Sequence, residues 1–338
     1  MQPSVKAAFF GGTGPAGETV GSIYGPKRMA AVAHMTRLYP TIVNRGNLAQ
    51  HLPLLHDLEV IFCTWGMFAL TEAELDQLPN LQAVFYAGGT VGYFAPPMLR
   101  RGVTVVSAAA ANAVPVAEFT LGQILLANKG YFRNVHQYHG RPDYSAAFRG
   151  RGNYGAEVCV LGAGAIGREV IALLRHFRLR VLVFDPFLSH KGAEALGAEK
   201  VDSLEEAFAR SAVVSNHVPD IPQTEGMLNG ALFTSMPDNA TFINTGRGRT
   251  VNHAELVEVF RGRPDLTALL DVTDPYEPMP MEHPLRALPN VHVSGHIAGS
   301  IGDEYGRIAD LVLEEYARWR AGEPLKHEVP LLAIERSA

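Results

Sequence analysis

The stretch "AEVCVLGAGAIGREV" (156–170) decides the fold of this chain. An apolar run leads into the pattern G-x-G-x-x-G at 162–167, and no glycine or proline interrupts the residues 168–177 behind it. Such glycines permit a tight turn and leave the first N–H groups of a helix facing a phosphate, so we expect the helix to open at Gly167. The next apolar run ends at Asp185, about 20 residues on, where a carboxylate can bind ribose hydroxyls. The stretch therefore predicts a dinucleotide site.

Asp185 also indicates which dinucleotide binds. A carboxylate repels the 2′-phosphate of NADP, and "DPF" (185–187) supplies no arginine to receive one. We therefore expect NAD, held by the loop and this acid: Gly162, Gly164, Ala165, Ile166, Gly167 and Asp185.

A second stretch, "GGTGPAG" (11–17), contains the same glycine pattern but lacks its surroundings. Gly21 and the Gly25–Pro26 pair interrupt any helix that opens at Gly17, because proline removes a donor and clashes with the preceding turn. The next predicted strand, "TIVN" (41–44), ends without an acid. We expect a turn here that binds no nucleotide.

Short apolar runs alternate with amphipathic ones along the chain, which predicts βα units and parallel sheets. One series of strands precedes an apolar helix over 114–129, which we expect to bridge two domains. A complete Rossmann-length series follows, and a helix within 302–322 closes the chain. The prediction is an α/β protein in which a Rossmann domain (113–297) is inserted into a flavodoxin-like domain (1–112 and 298–338).

Composition excludes several classes of protein. A net charge of -5 over 338 residues gives no basic surface for nucleic acid or anionic membrane. Cys63 and Cys159 lie in apolar runs, which indicates buried thiols in a reducing compartment. No secretory signal or membrane span is visible, and the histidines show no metal-ligand spacing. We expect a cytoplasmic protein without a metal site.

Polar residues follow three late strands of the Rossmann series, at the edge where open α/β sheets bind ligands. They are Arg247 in "INTGRG", Asp271 and Glu277 in "LLDVTDPYEP", and His296 in "VSGHIAG". A guanidinium can hold a carboxylate by two hydrogen bonds, and a histidine paired with a carboxylate can pass a proton near neutral pH. This set suits the reduction of a charged keto acid.

Several motifs, in order along the chain, resemble the D-isomer-specific 2-hydroxyacid dehydrogenases. They are "AGGTVG" (87–92), "ANAVPVAEFTLGQILL" (111–126), "GAGAIG" (162–167), "VSNHVP" (214–219), "INTGRG" (243–248), "DVTDPYEP" (271–278) and "HIAGS" (296–300).

The resemblance implies roles for individual residues. Arg247 would orient the substrate carboxylate, His296 would exchange the proton on the substrate oxygen, and Glu277 would raise the pKa of that histidine. Backbone amides at Gly89, Thr90 and Val91 would bind the carboxylate. The residues that would line the cofactor are His217, Val218, Thr224, Thr245 and Asp271; for His217, packing beneath the loop is an equal alternative.

Three features differ from the usual family pattern. Asp271 and Glu277 are six positions apart instead of five, with Tyr276 as the extra residue, so either the loop bulges or the acid–histidine pairing is altered; we favour the bulge. Gly295 replaces a common proline before the histidine, which should loosen that strand end. The sequence ends soon after the closing helix, so we expect it to lack the regulatory domain of long phosphoglycerate dehydrogenases.

The expected activity is NAD(H)-dependent hydride transfer to a small 2-keto acid of the glyoxylate, hydroxypyruvate or 3-phosphohydroxypyruvate class. The resemblance further implies a homodimer. Two alternatives remain open at this point: an NAD-sensing corepressor or scaffold of the same fold, and a formate- or phosphite-type dehydrogenase. Glu277 argues against the formate enzymes, which resemble this chain but carry glutamine there.

Overall fold

The computed structural model of the chain describes residues 5–15, 17–137, 150–275 and 277–331. These residues form two compact units. The first contains the chain up to Asn112 and from Ser300 onward, and the second is Ala113–Gly299. Each unit carries a parallel β-sheet with helices between the strands, which confirms the predicted fold class.

A five-stranded sheet forms the centre of the first unit. Its strands are β1 (Lys6–Phe10), β2 (Arg37–Leu38), β3 (Val60–Thr64), β4 (Ala83–Ala87) and β5 (Thr104–Ser107), in the spatial order β2-β1-β3-β4-β5. β3 and β4 are buried along their whole length, as expected for central strands of a sheet covered on both faces. The helices are α1 (Val20–Met35), α2 (Leu48–His51), α3 (Glu72–Leu75), α4 (Ala95–Arg100) and, after the second unit, α12 (Tyr305–Ala321).

The strand predicted in this unit at 41–44 is wrong, and the interruption predicted at Gly25–Pro26 is a kink within a longer helix. The strand predicted at 41–44 pairs with β1 only at Val43, and the paired strand is the earlier β2. Pro40 lies between the two pairings and lacks the N–H group that a continuous ladder would need. α1 begins at Val20 and kinks at Gly25 (φ 63°), so the Gly25–Pro26 pair bends the helix without preventing it.

A seven-stranded sheet forms the centre of the second unit. Its strands are β6 (Tyr154–Leu161), β7 (Arg178–Phe184), β8 (Glu199–Lys200), β9 (Val213–Asn216), β10 (Thr241–Asn244), β11 (Thr267–Leu270) and β12 (Val291–Val293). Their spatial order is β12-β11-β10-β9-β6-β7-β8, so the winding reverses between β6 and β9. Ligands of open α/β sheets bind outside the carboxyl ends of the strands at such a reversal.

The helices of this unit are α5 (Ala109–Asn128), which contains the boundary between the units, α6 (Tyr131–Gln137), α7 (Ala165–Leu174), α8 (His190–Leu196), α9 (Leu204–Arg210), α10 (Gly230–Ser235) and α11 (His253–Gly262). Among the described helices, α5 alone has the length and composition to cross a membrane, a test that core helices also pass. Cys63 and Cys159 are buried free thiols, and burial raises the pKa of both, as their apolar surroundings predict.

Candidate active site

The glycine loop at 162–167 follows β6, at the point where the winding of the second sheet reverses. Gly162 has φ +88°, and a Cβ there would lie 2.9 Å from the carbonyl oxygen of His217. A Cβ on Gly167 would lie 1.9 Å from the carbonyl oxygen of Gly162. Both positions therefore exclude a side chain. α7 begins at Ala165, two residues before the expected start, so the third glycine packs the first helical turn onto the loop.

The N-terminus of α7 is open to a ligand. Gly164 is its N-cap and supplies no side chain to bond the first N–H groups of the helix. A Cβ on Gly164 would meet no atom within 4 Å, so space lies in front of these groups. Unsatisfied N–H groups and the positive end of the helix dipole suit a phosphate. The second unit thus fits the pyrophosphate of a dinucleotide at this turn.

Asp185 stands directly after β7 and holds the loop from the other side. Its carboxylate oxygens accept hydrogen bonds of 2.8 Å from the N–H groups of Ala163 and Phe187. The side chain is half-buried, and each carboxylate oxygen retains acceptor capacity for a ribose hydroxyl. Asp185 is therefore oriented before any ligand arrives.

The first glycine loop has a different environment. A Cβ on Gly14 would lie 2.6 Å from Oε2 of Glu18 and 2.8 Å from Cβ of Trp65, so this glycine permits close packing between loops. The helix behind it, α1, is capped by its own side chains: Thr19 accepts from the N–H of Ser22, and Ser22 accepts from the N–H of Thr19. This capping box occupies the groups that a phosphate would need.

His217 is buried at the carboxyl end of β9, beneath the second glycine loop. Its Nε2 lies 2.9 Å from the hydroxyl of Ser215, and its Nδ1 lies 3.5 Å from that of Thr245, which also contacts the hydroxyl of Thr120 at 3.1 Å. Burial lowers the pKa of His217 from 6.5 to about 3, so the ring is neutral. Between the two alternatives, this geometry favours packing, and a cofactor contact of the ring stays a prediction.

Two asparagines, which the motif analysis did not single out, hold the loops at this edge. The side-chain amide of Asn216 donates to the side chains of Asn244 (3.0 Å) and Thr250 (2.9 Å), and its oxygen accepts from the N–H of Val218. Asn244 donates in turn to the carbonyl oxygen of Arg247. Asparagines in register at the ends of adjacent strands were the available signal.

Arg247 sits in the loop after β10, which packs against the loop after β11. A Cβ on Gly248 would lie 2.2 Å from the carbonyl carbon of Thr273, so only glycine permits this approach. The Arg247 guanidinium donates to the carbonyl oxygen of Gly246 at 2.8 Å. Its positive charge lowers the pKa of His296, which places the two side chains in one electrostatic field.

Asp271 is buried and organises the turn that carries His296. Its carboxylate accepts from the hydroxyl of Ser294 (2.6 Å) and from the N–H groups of Ile297 (3.0 Å) and Ala298 (2.9 Å). The N–H of His296 donates to the carbonyl oxygen of Asp271 at 2.9 Å, and His296 has a left-handed φ of 58°. These bonds hold the turn that was expected to be loose after Gly295. A contact of Asp271 with the cofactor stays a prediction.

Glu277 and His296 form an ion pair despite the additional residue between Asp271 and Glu277. Oε1 of Glu277 lies 2.8 Å from Nδ1 of His296. The hydrogen bond to Glu277 raises the pKa of His296 above 6.5, against the opposing effects of burial and Arg247. With Nδ1 engaged, Nε2 is the ring atom left to exchange a proton. Tyr276 itself lies outside the described residues.

Two more residues predicted at the cofactor lie at the same edge of the sheet. Val218 is buried, and its backbone nitrogen would lie 3.2 Å from a Cβ on Gly162. The hydroxyl of Thr224 donates to the carbonyl oxygens of Pro219 (2.6 Å) and Ile221 (3.0 Å), so it stabilises the turn there.

In the first unit, the predicted carboxylate loop follows β4. The hydroxyl of Ser107 contacts the carbonyl oxygens of Gly88 (3.1 Å) and Gly89 (2.6 Å). Because trans peptides direct C=O and N–H oppositely, the N–H groups of Gly89 and Thr90 point away from Ser107. Amides aligned in this way suit a carboxylate. Ser107 was missed, although a serine that ends a buried strand is a signal.

Across the described ranges, no group of three or more histidine, cysteine or acidic side chains could hold a metal ion. The fold and the open glycine loop define an α/β protein of the dinucleotide-binding class.

The comparisons with known proteins narrow this class. Residues 122–298 match the family model "D-isomer specific 2-hydroxyacid dehydrogenase, NAD binding domain". The chain is 30% identical to D-3-phosphoglycerate dehydrogenase of Archaeoglobus fulgidus, over 70% of this chain and 45% of that protein. It is 28% identical to the Methanocaldococcus jannaschii enzyme of the same name, over 80% of this chain and 52% of that protein. The chain thus spans about half the length of these curated relatives.

Solved structures share the whole fold. The apo form of Rhodotorula graminis D-mandelate dehydrogenase superposes with a TM-score of 0.80 at 21% identity, covering 97% of this chain and 98% of that one. A phosphoglycerate oxidoreductase from Rhizobium etli gives 0.76 at 23% identity, covering 96% and 97%. The family model covers more than half of the chain, so the chain belongs to the D-isomer-specific 2-hydroxyacid dehydrogenase family. The predicted family and its cofactor, NAD, are confirmed.

Proposed function

We propose that this chain is an NAD(H)-dependent oxidoreductase that transfers a hydride between the nicotinamide and C2 of a small 2-keto or 2-hydroxy acid. The observation that carries the proposal is the 2.8 Å contact between Glu277 and His296, in the electrostatic field of Arg247. A proton donor with a raised pKa beside a guanidinium suits the reduction of an anionic carbonyl compound.

The second unit then acts as the NAD-binding domain. Its glycine loop and the open end of α7 hold the pyrophosphate, and Asp185 binds the adenosine ribose, which favours NADH over NADPH. NADH supplies the hydride when bound. Arg247 orients the substrate carboxylate and polarises the carbonyl group. His296 donates the proton from Nε2 to the substrate oxygen and accepts it in the oxidative direction, while Glu277 stabilises the imidazolium.

The first unit acts as the substrate domain in this proposal. The N–H groups of the loop Gly89–Val91 bind the substrate carboxylate, with Ser107 holding the loop in its orientation. Carboxylates are bound well by several convergent backbone donors.

The direct test is NADH oxidation with a panel of 2-keto acids, comparing the parent protein with His296→Asn. We expect turnover to fall by about 100-fold or more, because a positioned acid–base group contributes that much, while the NADH dissociation constant changes little. His176→Asn, an exposed histidine of the same unit, is the control. Absence of turnover on every 2-keto acid by a parent protein that binds NADH would contradict the proposal.

The two alternatives are less well supported. A corepressor or scaffold needs no acid–histidine pair, and this chain retains one at hydrogen-bonding distance. Formate-type enzymes carry glutamine where Glu277 stands. Partner binding by a parent protein without any turnover would favour the scaffold.

We also infer a homodimer in the cytoplasm, with a small 2-keto or 2-hydroxy acid as partner and neither nucleic acid nor membrane. Support comes from α5 and α6, where Leu126, Tyr131 and Val135 are more than 40% exposed, as apolar residues of a dimer face are in a single chain. Light scattering should give the mass of two 36.6 kDa chains at micromolar concentration. The mass of one chain would contradict this.

A further inference from the structure

The carboxyl edge of the five-stranded sheet in the first unit carries a cluster of aromatic side chains, Trp65, Tyr86, Tyr93 and Tyr305, here called the aromatic edge cluster. The rings of Trp65 and Tyr305 contact each other edge to face, with centroids 6.1 Å apart. The hydroxyls of Tyr86 and Tyr93 lie 3.3 Å apart, and Tyr93 is 51% exposed. Trp65 and Tyr305 are half-buried. Tyr86 is only 1% exposed, so the aromatic surface that the edge presents comes from Trp65, Tyr93 and Tyr305.

This cluster adjoins the proposed carboxylate loop. A Cβ on Gly88 would lie 2.6 Å from the ring of Tyr86, so that ring lies directly against the residue before Gly89. Tyr93 follows the loop by two residues and packs edge to face on Phe94 at 5.0 Å. A 2-keto acid whose carboxylate is bound by the loop thus has aromatic groups within the same unit beside it.

The carboxylate of Glu18 is a negative charge near the cluster. A Cβ on Gly14 would lie 2.6 Å from Oε2 of Glu18 and 2.8 Å from Cβ of Trp65, so the Glu18 carboxylate lies beside the cluster. Burial raises the pKa of Tyr305 most, and Glu18 raises it further. A phosphate group beside this carboxylate would be repelled, since like charges cost free energy at short range.

The one cation in the loops at this edge is already engaged. Among the described residues of loops 11–19, 39–47, 65–71, 88–94 and 108–112, that cation is Arg45. Its guanidinium donates to the Glu74 carboxylate at 2.6 Å and to the carbonyl oxygen of Ala69 at 2.6 Å. It also lies 5.1 Å above the ring of Phe68. Binding a phosphate would require breaking this arrangement.

We propose that the aromatic edge cluster binds the side chain of the substrate, and that this side chain is uncharged and bulky, either aromatic or branched aliphatic, instead of phosphorylated. The inference rests on the proposed function and specifies the substrate class of the same reaction. Apolar burial against aromatic rings supplies the affinity. The Glu18 carboxylate and the prior engagement of Arg45 supply the discrimination against phosphate.

The test measures kcat/KM with NADH for phenylpyruvate, glyoxylate and 3-phosphohydroxypyruvate. We expect phenylpyruvate to exceed 3-phosphohydroxypyruvate by about 100-fold, the scale that pocket contacts can reach. Equal values, or a preference for the phosphorylated acid, would overturn the inference while leaving the proposed function standing. Turnover of none of the three, glyoxylate included, would count against the proposed function itself.

Variants of Trp65 and Glu18 then test whether the aromatic edge cluster produces this substrate preference. Trp65→Ala should lower the ratio of kcat/KM for phenylpyruvate over glyoxylate by about tenfold, and Trp65→Phe should restore most of it. Glu18→Lys should raise kcat/KM for 3-phosphohydroxypyruvate by about tenfold over the parent, with Glu18→Gln intermediate. If Trp65→Ala does not fold, the Glu18 pair decides. Two results would overturn the inference that the substrate side chain binds at this cluster. One is a folded Trp65→Ala variant with an unchanged ratio of kcat/KM for phenylpyruvate over glyoxylate. The other is a Glu18→Lys variant whose kcat/KM for 3-phosphohydroxypyruvate does not rise.

Discussion

The two glycine loops of this chain share the pattern G-x-G-x-x-G and differ in what surrounds them. At 162–167, the glycines fold the loop onto its own helix and onto the backbone of His217, and the N-terminus of α7 stays uncapped. At 12–17, the absence of a side chain at Gly14 lets Trp65 pack close to the loop. The helix behind this loop is capped by the side chains of Thr19 and Ser22. The same glycine pattern thus permits the approach of a ligand in one loop and close packing of neighbouring loops in the other. The helix cap, not the glycine pattern, separates the two uses.

The largest expected effect comes from Gly167→Ala. Its Cβ would lie 1.9 Å from a backbone oxygen, so the loop must move, and we expect the free energy of unfolding to fall by about 3 kcal/mol with loss of measurable NADH binding. Gly262→Ala, at the end of α11 with no atom within 4 Å of its Cβ, is the control and should match the parent. Normal NADH binding by Gly167→Ala would remove the distinction between the loops.

A smaller effect, on the pH dependence of the reductive reaction, is expected from Glu277→Gln at the strand ends beside the open loop. Glu277→Gln removes the anion that raises the pKa of His296, so that pKa falls. Reduction requires the protonated ring, which in the parent persists above pH 6.5 and is lost as the pH rises through the raised pKa. In the variant, the decline in reductive kcat/KM should move to lower pH, with activity at pH 8 reduced by about tenfold or more.

The pH profile of reductive kcat/KM is the measurement for this prediction. Glu282→Gln, an exposed acid of the same loop, should leave the profile of the parent in place. An unchanged profile for Glu277→Gln would show that another group sets the protonation of His296.

The smallest effect on cofactor binding is expected in the first loop. Gly14→Ala should leave the NADH dissociation constant within about twofold. Its Cβ would lie 2.8 Å from the Cβ of Trp65, so we expect a loss of about 1–3 kcal/mol in stability, visible as a lower Tm. Gly21→Ala, in α1 with ordinary contacts, is the matched control and should not lower Tm. A large rise in the NADH dissociation constant for Gly14→Ala would contradict the assignment of cofactor binding to the loop at 162–167.

The sequence alone predicted those features of the fold and site that depend on residues close together in the chain. The strand, the glycine loop and Asp185 form one continuous unit, so their pattern is local and the structure reproduces it. α8 was missed although local signals were present, since Ser189 caps its start and Gly197 ends it in the left-handed region. Pro40 marked the place where pairing with β1 is interrupted, and its effect was not anticipated.

The remaining features depend on residues far apart in the sequence. Asn216 and Asn244 meet because β9 and β10 are adjacent in register. Ser107 reaches Gly89 because β5 pairs with β4. The placement of Glu277 depends on a loop path that residue spacing alone leaves open. Strand order, which motifs do not encode, therefore determines the support of the candidate site.

Gly164→Ala tests the central claim, that the loop at 162–167 is kept open for the cofactor, most directly. Its Cβ would meet no protein atom within 4 Å, so the fold has no need of this glycine. A titration of NADH binding, run beside thermal unfolding, should show a dissociation constant raised by about tenfold or more with Tm unchanged. A dissociation constant within about twofold of the parent would contradict the account.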